Sequence, residues 1–157
     1  MDLVATPITP EVIHEFMWMM RPEDIREYVA HSGNTLGSLQ DSLMALVGKE
    51  QEAYAEAVHT PEGTLVALGG WDLLGASWFL CTDAVQEHSR AFVRHIKARR
   101  DALLKAVHVI TNEVWLGNAV HVRFLEVLGA EFSDRHFSRN GLEFTRFYIQ
   151  QKGGPHV

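Results

Sequence analysis

Cysteine is nearly absent: one residue, Cys81, occurs in 157, which excludes an internal disulfide and any cysteine-based zinc module. It lies inside the apolar run ASWFLC, where the expected role is a small buried hydrophobe in a reducing compartment. No apolar run approaches the ~18 residues that cross a bilayer. The opening residues MDLVATPITPE have neither a basic stretch nor an apolar core of the export type, so no export by a signal peptide is expected. Basic residues are outnumbered 14 to 20, for a formal charge of −6. Such a surface repels polyphosphate and anionic lipid, so neither nucleic acid nor membrane is an expected partner. Gly-x-Ser-x-Gly, phosphate-loop and paired-cysteine motifs are also missing, leaving hydrolase, nucleotidase and zinc-finger readings without an anchor. None of the histidines shares a helix face at i, i+3 or i+4 with another. His88 and His95 lie two turns apart, ~10.5 Å along a helix axis, too far for one ion, so no metal is expected.

What is present is a globular composition, 46% apolar and 22% charged, at a length that suits one domain. We expect that domain over residues 1–150, with 151–157 (QKGGPHV) as a flexible tail. DLVATPI is β-prone. TPEVIHEFMWMM follows with Thr9 as N-cap and Pro10 at the first helical position. RPEDIREYVAHSGN and SLQDSLMALVG predict two more helices, ending at Gly33 and Gly48. EAYAEAVH, TLVALGGW and GASWFLC then read as a three-stranded meander, its first turn TPEG suiting type I. Asp83 and Gln86 form a possible capping box for a long helix over 84–107. VHVITNEV reads as a buried strand and GNAVHVRFLEVLG as a short helix. AEFSDRHFS and LEFTRFYI flank Asn140-Gly141, the strongest short hairpin signal. The order β-α-α-α-β-β-β-α-β-α-β-β predicts an α/β domain with a mixed sheet.

That order, with N-x5-F-L-x2-L-G before the last hairpin, resembles the GNAT (GCN5-related N-acetyltransferase) fold. FLCTDAVQEH, FVRHIK, HVITNEVWLGNAVHVRFLEVLGAEF and NGLEFTRFYI more closely resemble the GNAT-like proteins of tailed phages, grouped with the internal virion and virion-assembly proteins of short-tailed phages. The likeness runs over roughly residues 10–150 and is most specific from Trp78 to Phe132.

The resemblance implies a mixed central sheet with flanking helices, an acetyl-CoA cleft, and phage or host proteins as partners in the host cytoplasm or the virion. It implies a role in virion assembly or as an internal virion component, with acetyl transfer weak or lost; the alternative is an active N-acetyltransferase acting on a host or phage amine. Its phosphate-binding positions fall at Thr82, Asp83, Val85 and His88, with Asn118 at the start of the short helix. Arg90, Arg94 and Lys97 share one face of the long helix and suit a phosphate, or form a solvated face. The family's phosphate loop is glycine-rich, whereas TDAVQEHSRA contains no glycine, and its side chains crowd an anion while Asp83 and Glu87 repel it. The family's acid, a tyrosine four residues before the glycine of Leu-Gly, is Leu125 here, and sequence gives no reason to put Tyr28 or Tyr148 in its place. Glu113, His121 and Asp72 are candidate bases by residue type, while capping explains Asn118 equally well. Trp71, Trp78 and Trp115 are expected along the open side of the sheet, and the cluster from Met17 to Met20 reads as core or, if exposed, as an adaptable protein-binding surface.

Overall fold

Side chains that stand in for missing backbone acceptors set where the first helices begin. The Thr9 hydroxyl accepts from the Val12 N–H, and Pro10 opens α1 (Pro10–Met19). Pro22 opens α2 (Pro22–Ser32), which stops at Gly33 in the left-handed conformation at φ 69°, the standard exit from a helix. Thr35, two residues beyond that glycine, caps α3 (Leu36–Met44), so the third helix starts earlier and ends earlier than its apolar pattern suggests. The computed structural model describes residues 1–49, 54–72 and 74–151. The expected strand over 52–59 therefore has its first two residues outside the described ones, as does the expected tail from 152 onward.

The strands form two sheets. β1 (Val4–Pro7), β2 (Tyr54–His59), β3 (Leu65–Trp71) and β4 (Ser77–Cys81) are antiparallel neighbours in sequence order. The second sheet runs β5 (Val109–Trp115), β7 (Leu142–Gln150), β6 (Glu131–Arg139), again antiparallel. The expected turns join them: Gly63 N–H donates to the Thr60 carbonyl at 2.9 Å, and Asn140 and Gly141 both adopt positive φ, 49° and 86°, as a type I′ hairpin requires. The expected parallel component is one bridge, Ala76 to Thr111, where β4 and β5 start side by side. Among the described residues they form no other bridge, so the two strands part toward their C-terminal ends.

The apex of that divergence is built on Gly75. Its φ is 89°, its carbonyl accepts from the Thr111 N–H at 3.0 Å, and a Cβ there would run into the Val109 carbonyl oxygen. Gly75→Ala therefore meets left-handed strain and backbone overlap together, and should lower unfolding free energy by about 2–4 kcal/mol in urea titration.

Two apolar clusters hold the layers. One packs α1 and α3 on the first sheet through Ile13, Phe16, Leu39, Leu43, Ala57 and Leu68. The other fills the space between the sheets, α4 (Ser89–Leu103) and α5 (Ala119–Val127) through Val66, Phe92, Ile96, Val114, Phe124 and Phe147. Both helices lie on strands whose inward residues are buried, so their apolar stripes reach the same core.

One expectation is corrected. The long helix over 84–107 is a 3-10 turn, Asp83–Gln86, followed by α4 from Ser89. The capping residue is Thr82, whose hydroxyl accepts from Ala84 N–H while donating to the Leu65 carbonyl. Val85 within that turn is fully buried in the core. The Met-rich turn is also split: Met20 is buried, whereas Trp18 is 84% exposed.

Candidate functional site

Where β4 and β5 part, a cleft of about 180 Å³ opens over the inter-sheet core. Its apolar walls include Phe79, Phe92, Ile96, Ile110, Leu125 and Phe147, and three histidine–glutamate pairs line it. His121 Nδ1 lies 3.0 Å from Glu27, His95 Nε2 2.6 Å from Glu56, and His31 Nε2 2.8 Å from Glu113. Glu56 on β2 is further held by Arg99, and Glu113 on β5 by Arg139 and Arg146. Arg99 and Arg100 also help line the cleft.

The densest polar network joins four elements at the mouth of the cleft. Asp24 on α2 accepts from Arg21 at 2.9 Å, from Asn118 Nδ2 at 2.8 Å and from the Cys81 N–H at 2.7 Å. Glu27, one turn on, accepts from Asn118 Nδ2 at 2.7 Å and from the Trp115 N–H at 3.1 Å. Asn118 is fully buried; its oxygen caps α5 at the His121 N–H, and its amide bridges both carboxylates. Capping and cleft-building are here one role, because Asn118 supplies donors and an acceptor at once.

Burial sets these titrations against their partners. For Glu27, burial favours the neutral acid, but the His121 charge and hydrogen bond outweigh it and hold the carboxyl below its ordinary 4.5. For His121, burial disfavours the cation, but Glu27 and then Asp24 outweigh it and raise the ring above its ordinary 6.5. Asp24 moves the other way: burial dominates its hydrogen bonds from Asn118 and Cys81 and lifts it above 3.8. A raised histidine stabilises the fold below its unfolded pKa and loses that contribution as pH rises through the folded value. A lowered glutamate does so above its unfolded pKa and loses it as pH falls. The pair is therefore worth most between pH 4.5 and 6.5. Asp24, being raised, contributes below 3.8 and loses that contribution as pH rises through its folded value. His121→Phe should flatten the decline in Tm as pH rises above 6.5, measured by calorimetry.

The sequence-predicted residues divide into two groups. His121 and Glu113 line the cleft, and Asn118 bonds Asp24 and Glu27, which line it too. The group from Thr82 to Arg94 does not line it. Thr82 and Val85 are buried, Asp83 and Arg90 exposed, His88 half-buried ahead of α4, and Arg94 donates to the Met1 carbonyl and pairs with Asp2. Asp72 is a turn residue, accepting from Leu74 and Ala76 N–H groups. Leu125 is core, and Tyr28 lines the cleft while Tyr148 faces outward. Trp71 and Trp78 line the cleft, whereas Trp115 lies under Arg26 instead. Sequence reasoning missed Arg21, Asp24, Glu27, Glu56 and His95. The available signal was the spacing of Asp24, Glu27 and Ala30, which places two acids on the buried stripe of α2. Among the described residues, no group of three or more His, Cys, Asp or Glu side chains is arranged to hold a metal, and no helix is long and apolar enough to cross a membrane.

The fold is that of the GNAT acetyltransferases. A spermidine N-acetyltransferase from Vibrio cholerae, solved with CoA and spermine, superposes with a TM-score of 0.67 over 96% of both chains at 15% identity. The aminoglycoside acetyltransferase AAC(6')-Ib, solved with ribostamycin and coenzyme A, gives 0.70 over 100% of both chains at 12% identity. At such identities the likeness establishes the fold. Within that fold the chain belongs to the family described as "Bacteriophage T7, probable scaffold protein Gp13", whose pattern matches residues 57–137. The probable scaffold protein gp13 of Escherichia phage T7 is 36% identical over 96 residues, 59% of this chain and 67% of that protein.

Does the chain fit the acyl carrier that the fold implies? A diphosphate needs free N–H groups at a helix start. Here Ala84 N–H is taken by the Thr82 hydroxyl, and those of Val85, Glu87 and His88 by the carbonyls of Thr82, Ala84 and Val85. Those four donors are consumed by the turn itself, and with no glycine in TDAVQEHSRA every position also projects a side chain. The residues present do not fit the carrier's phosphates.

Proposed function

We propose that this protein acts in virion assembly, or as an internal component of the particle, through contacts with phage or host proteins in the host cytoplasm or the virion, and that acetyl transfer is weak or lost. Membership of the gp13 family supports the assembly role, and the observation that carries the loss of transfer is the glycine-free 3-10 turn in which the N–H groups of Ala84, Val85, Glu87 and His88 are already bonded where a cofactor diphosphate would rest. The leucine at 125, buried where the acid of the fold would stand, points the same way.

A second reading, an acetyl-CoA-dependent N-acetyltransferase acting on a host or phage amine, is favoured by one observation: His121 lines the cleft with Glu27 behind it. In that reading His121 removes the amine proton. The raised affinity of its ring for a proton weighs against it, since a base must be neutral before the reaction. Phage complementation separates the two. A phage deleted for this gene should form no plaques and should recover fully with the wild-type chain. Recovery should be equal with His121→Gln and with Arg90→Glu, scored by plating efficiency. A loss with His121→Gln, in a chain that still accumulates folded, would favour the transferase. Absence of the protein from both purified particles and assembly intermediates would remove the assembly reading.

A further inference from the structure

The open edge of β4 is occupied by the chain itself. In an antiparallel ladder alternate residues turn their peptide groups to opposite sides. Thr82 N–H bonds the Val66 carbonyl on β3, so Ser77, Phe79 and Cys81 turn theirs toward the gap between β4 and β5. At the closed end of the gap, Asn112 Nδ2 donates to the Ser77 carbonyl at 3.0 Å. At the open end, the Arg21 N–H donates to the Cys81 carbonyl at 2.9 Å, Met20 forms an antiparallel bridge with Thr82, and Asp24 takes the Cys81 N–H. Across the gap Glu27 takes the Trp115 N–H. Between these two fastenings, Phe79's N–H and C=O have no hydrogen-bond partner among the described residues.

We propose that the segment from Met20 to Glu27 is an internal plug: it adds to the edge of β4 as a strand would and closes the cleft mouth to any extended, amide-bearing ligand. The junction of α1 and α2 is shaped for this, because Arg21 at φ −59° and ψ 136° is extended and presents its N–H sideways to β4 before Pro22 starts the helix. Arg21 and Asp24 then fix that segment from within, their side chains 3% and 6% exposed and 2.9 Å apart. The plug deepens the assembly reading and rests on it in one respect: a cleft sealed by its own chain has no standing need for a carrier.

Pantetheine, the carrier's amide-bearing arm without its phosphates, is the probe, because the crowded turn has no bearing on it. In the wild-type chain the Cys81 amide should exchange with deuterium about tenfold or more slowly than that of Phe79, as one extra hydrogen bond implies. Millimolar pantetheine should leave both amide resonances unmoved. Arg21→Pro deletes the donor to Cys81 at a φ that proline accepts. It should leave the Cys81 N–H on Asp24 and, by freeing the Cys81 carbonyl, let pantetheine shift the Phe79 and Cys81 resonances. If that variant fails to fold, Asp24→Asn keeps the side-chain shape while removing the charge and carries the same comparison. Equal exchange of the two amides in the wild type overturns the plug. So does a wild-type Cys81 resonance that moves with pantetheine, or a freed Cys81 edge that ignores it. Wild-type binding of coenzyme A without binding of pantetheine would instead overturn the proposed loss of transfer and leave the plug standing.

Discussion

Asp24→Ala is expected to lower unfolding free energy by about 3–5 kcal/mol, the range for removing one partner of a buried ion pair. Arg21, 3% exposed, would keep its charge inside the protein with only Glu23, at 3.3 Å, as a counterion, and Glu23 is half exposed. The Cys81 N–H and one contact of Asn118 would lose their acceptor as well, and unmade bonds of buried donors cost more than made ones gain. In a chain of this size the loss corresponds to a fall in Tm of about 6–20 °C. Glu23→Ala, which removes the exposed partner, should cost under about 1 kcal/mol. Near-equality of the two variants in urea titration would show that the network at the cleft mouth does not hold α2 to β4.

Phe92→Ala should be as severe, about 3–5 kcal/mol, for a different reason. Phe92 is 1% exposed on α4 and meets Phe79 of β4 edge-on at 5.5 Å and Phe124 of α5 at 5.1 Å. Those rings, with Phe79 and Phe124 themselves at 6.1 Å, tie both helices to the first sheet at the place where strand pairing between the sheets has ended. The cavity would open in the inter-sheet core, and the neighbours cannot collapse into it without moving α4. Calorimetry of the variant should show the fall in Tm with the native circular dichroism retained at low temperature.

The contrast between these two sites explains what could be read beforehand. Thr9-Pro10, Pro22, Gly33 and Asn140-Gly141 act on the backbone within a few residues, so their signatures survive in the sequence, and the alternating strands around them are placed with their order. The long-helix expectation failed at Thr82 because the deciding bond goes to Leu65, 17 positions away. The cleft mouth was hidden more thoroughly. Asp24 reads as a first-turn acid suited to the helix dipole, yet its partners include Cys81 and Asn118, 57 and 94 positions away. Asn118 is legible from its place at a recognisable helix start and His121 from its residue type; Glu27, which governs the charge of His121, carries no local mark of that role. The tryptophans drew attention for their size, while the phenylalanines that join the sheets are spread over positions 79, 92 and 124 and form a unit only once folded.

The direct test of the account is calorimetric titration of the wild-type chain with acetyl-CoA, paired with thermal unfolding in the same solutions. A glycine-free turn with four of its N–H groups already bonded, beside a β4 edge occupied by the segment from Met20 to Glu27, predicts no saturable heat and an unchanged Tm at millimolar cofactor. A saturable rise in stability, approaching the ~2.7 kcal/mol that a ligand contributes at 100 times its Kd, would contradict it, and most sharply if the diphosphate were then found seated on residues 82–88.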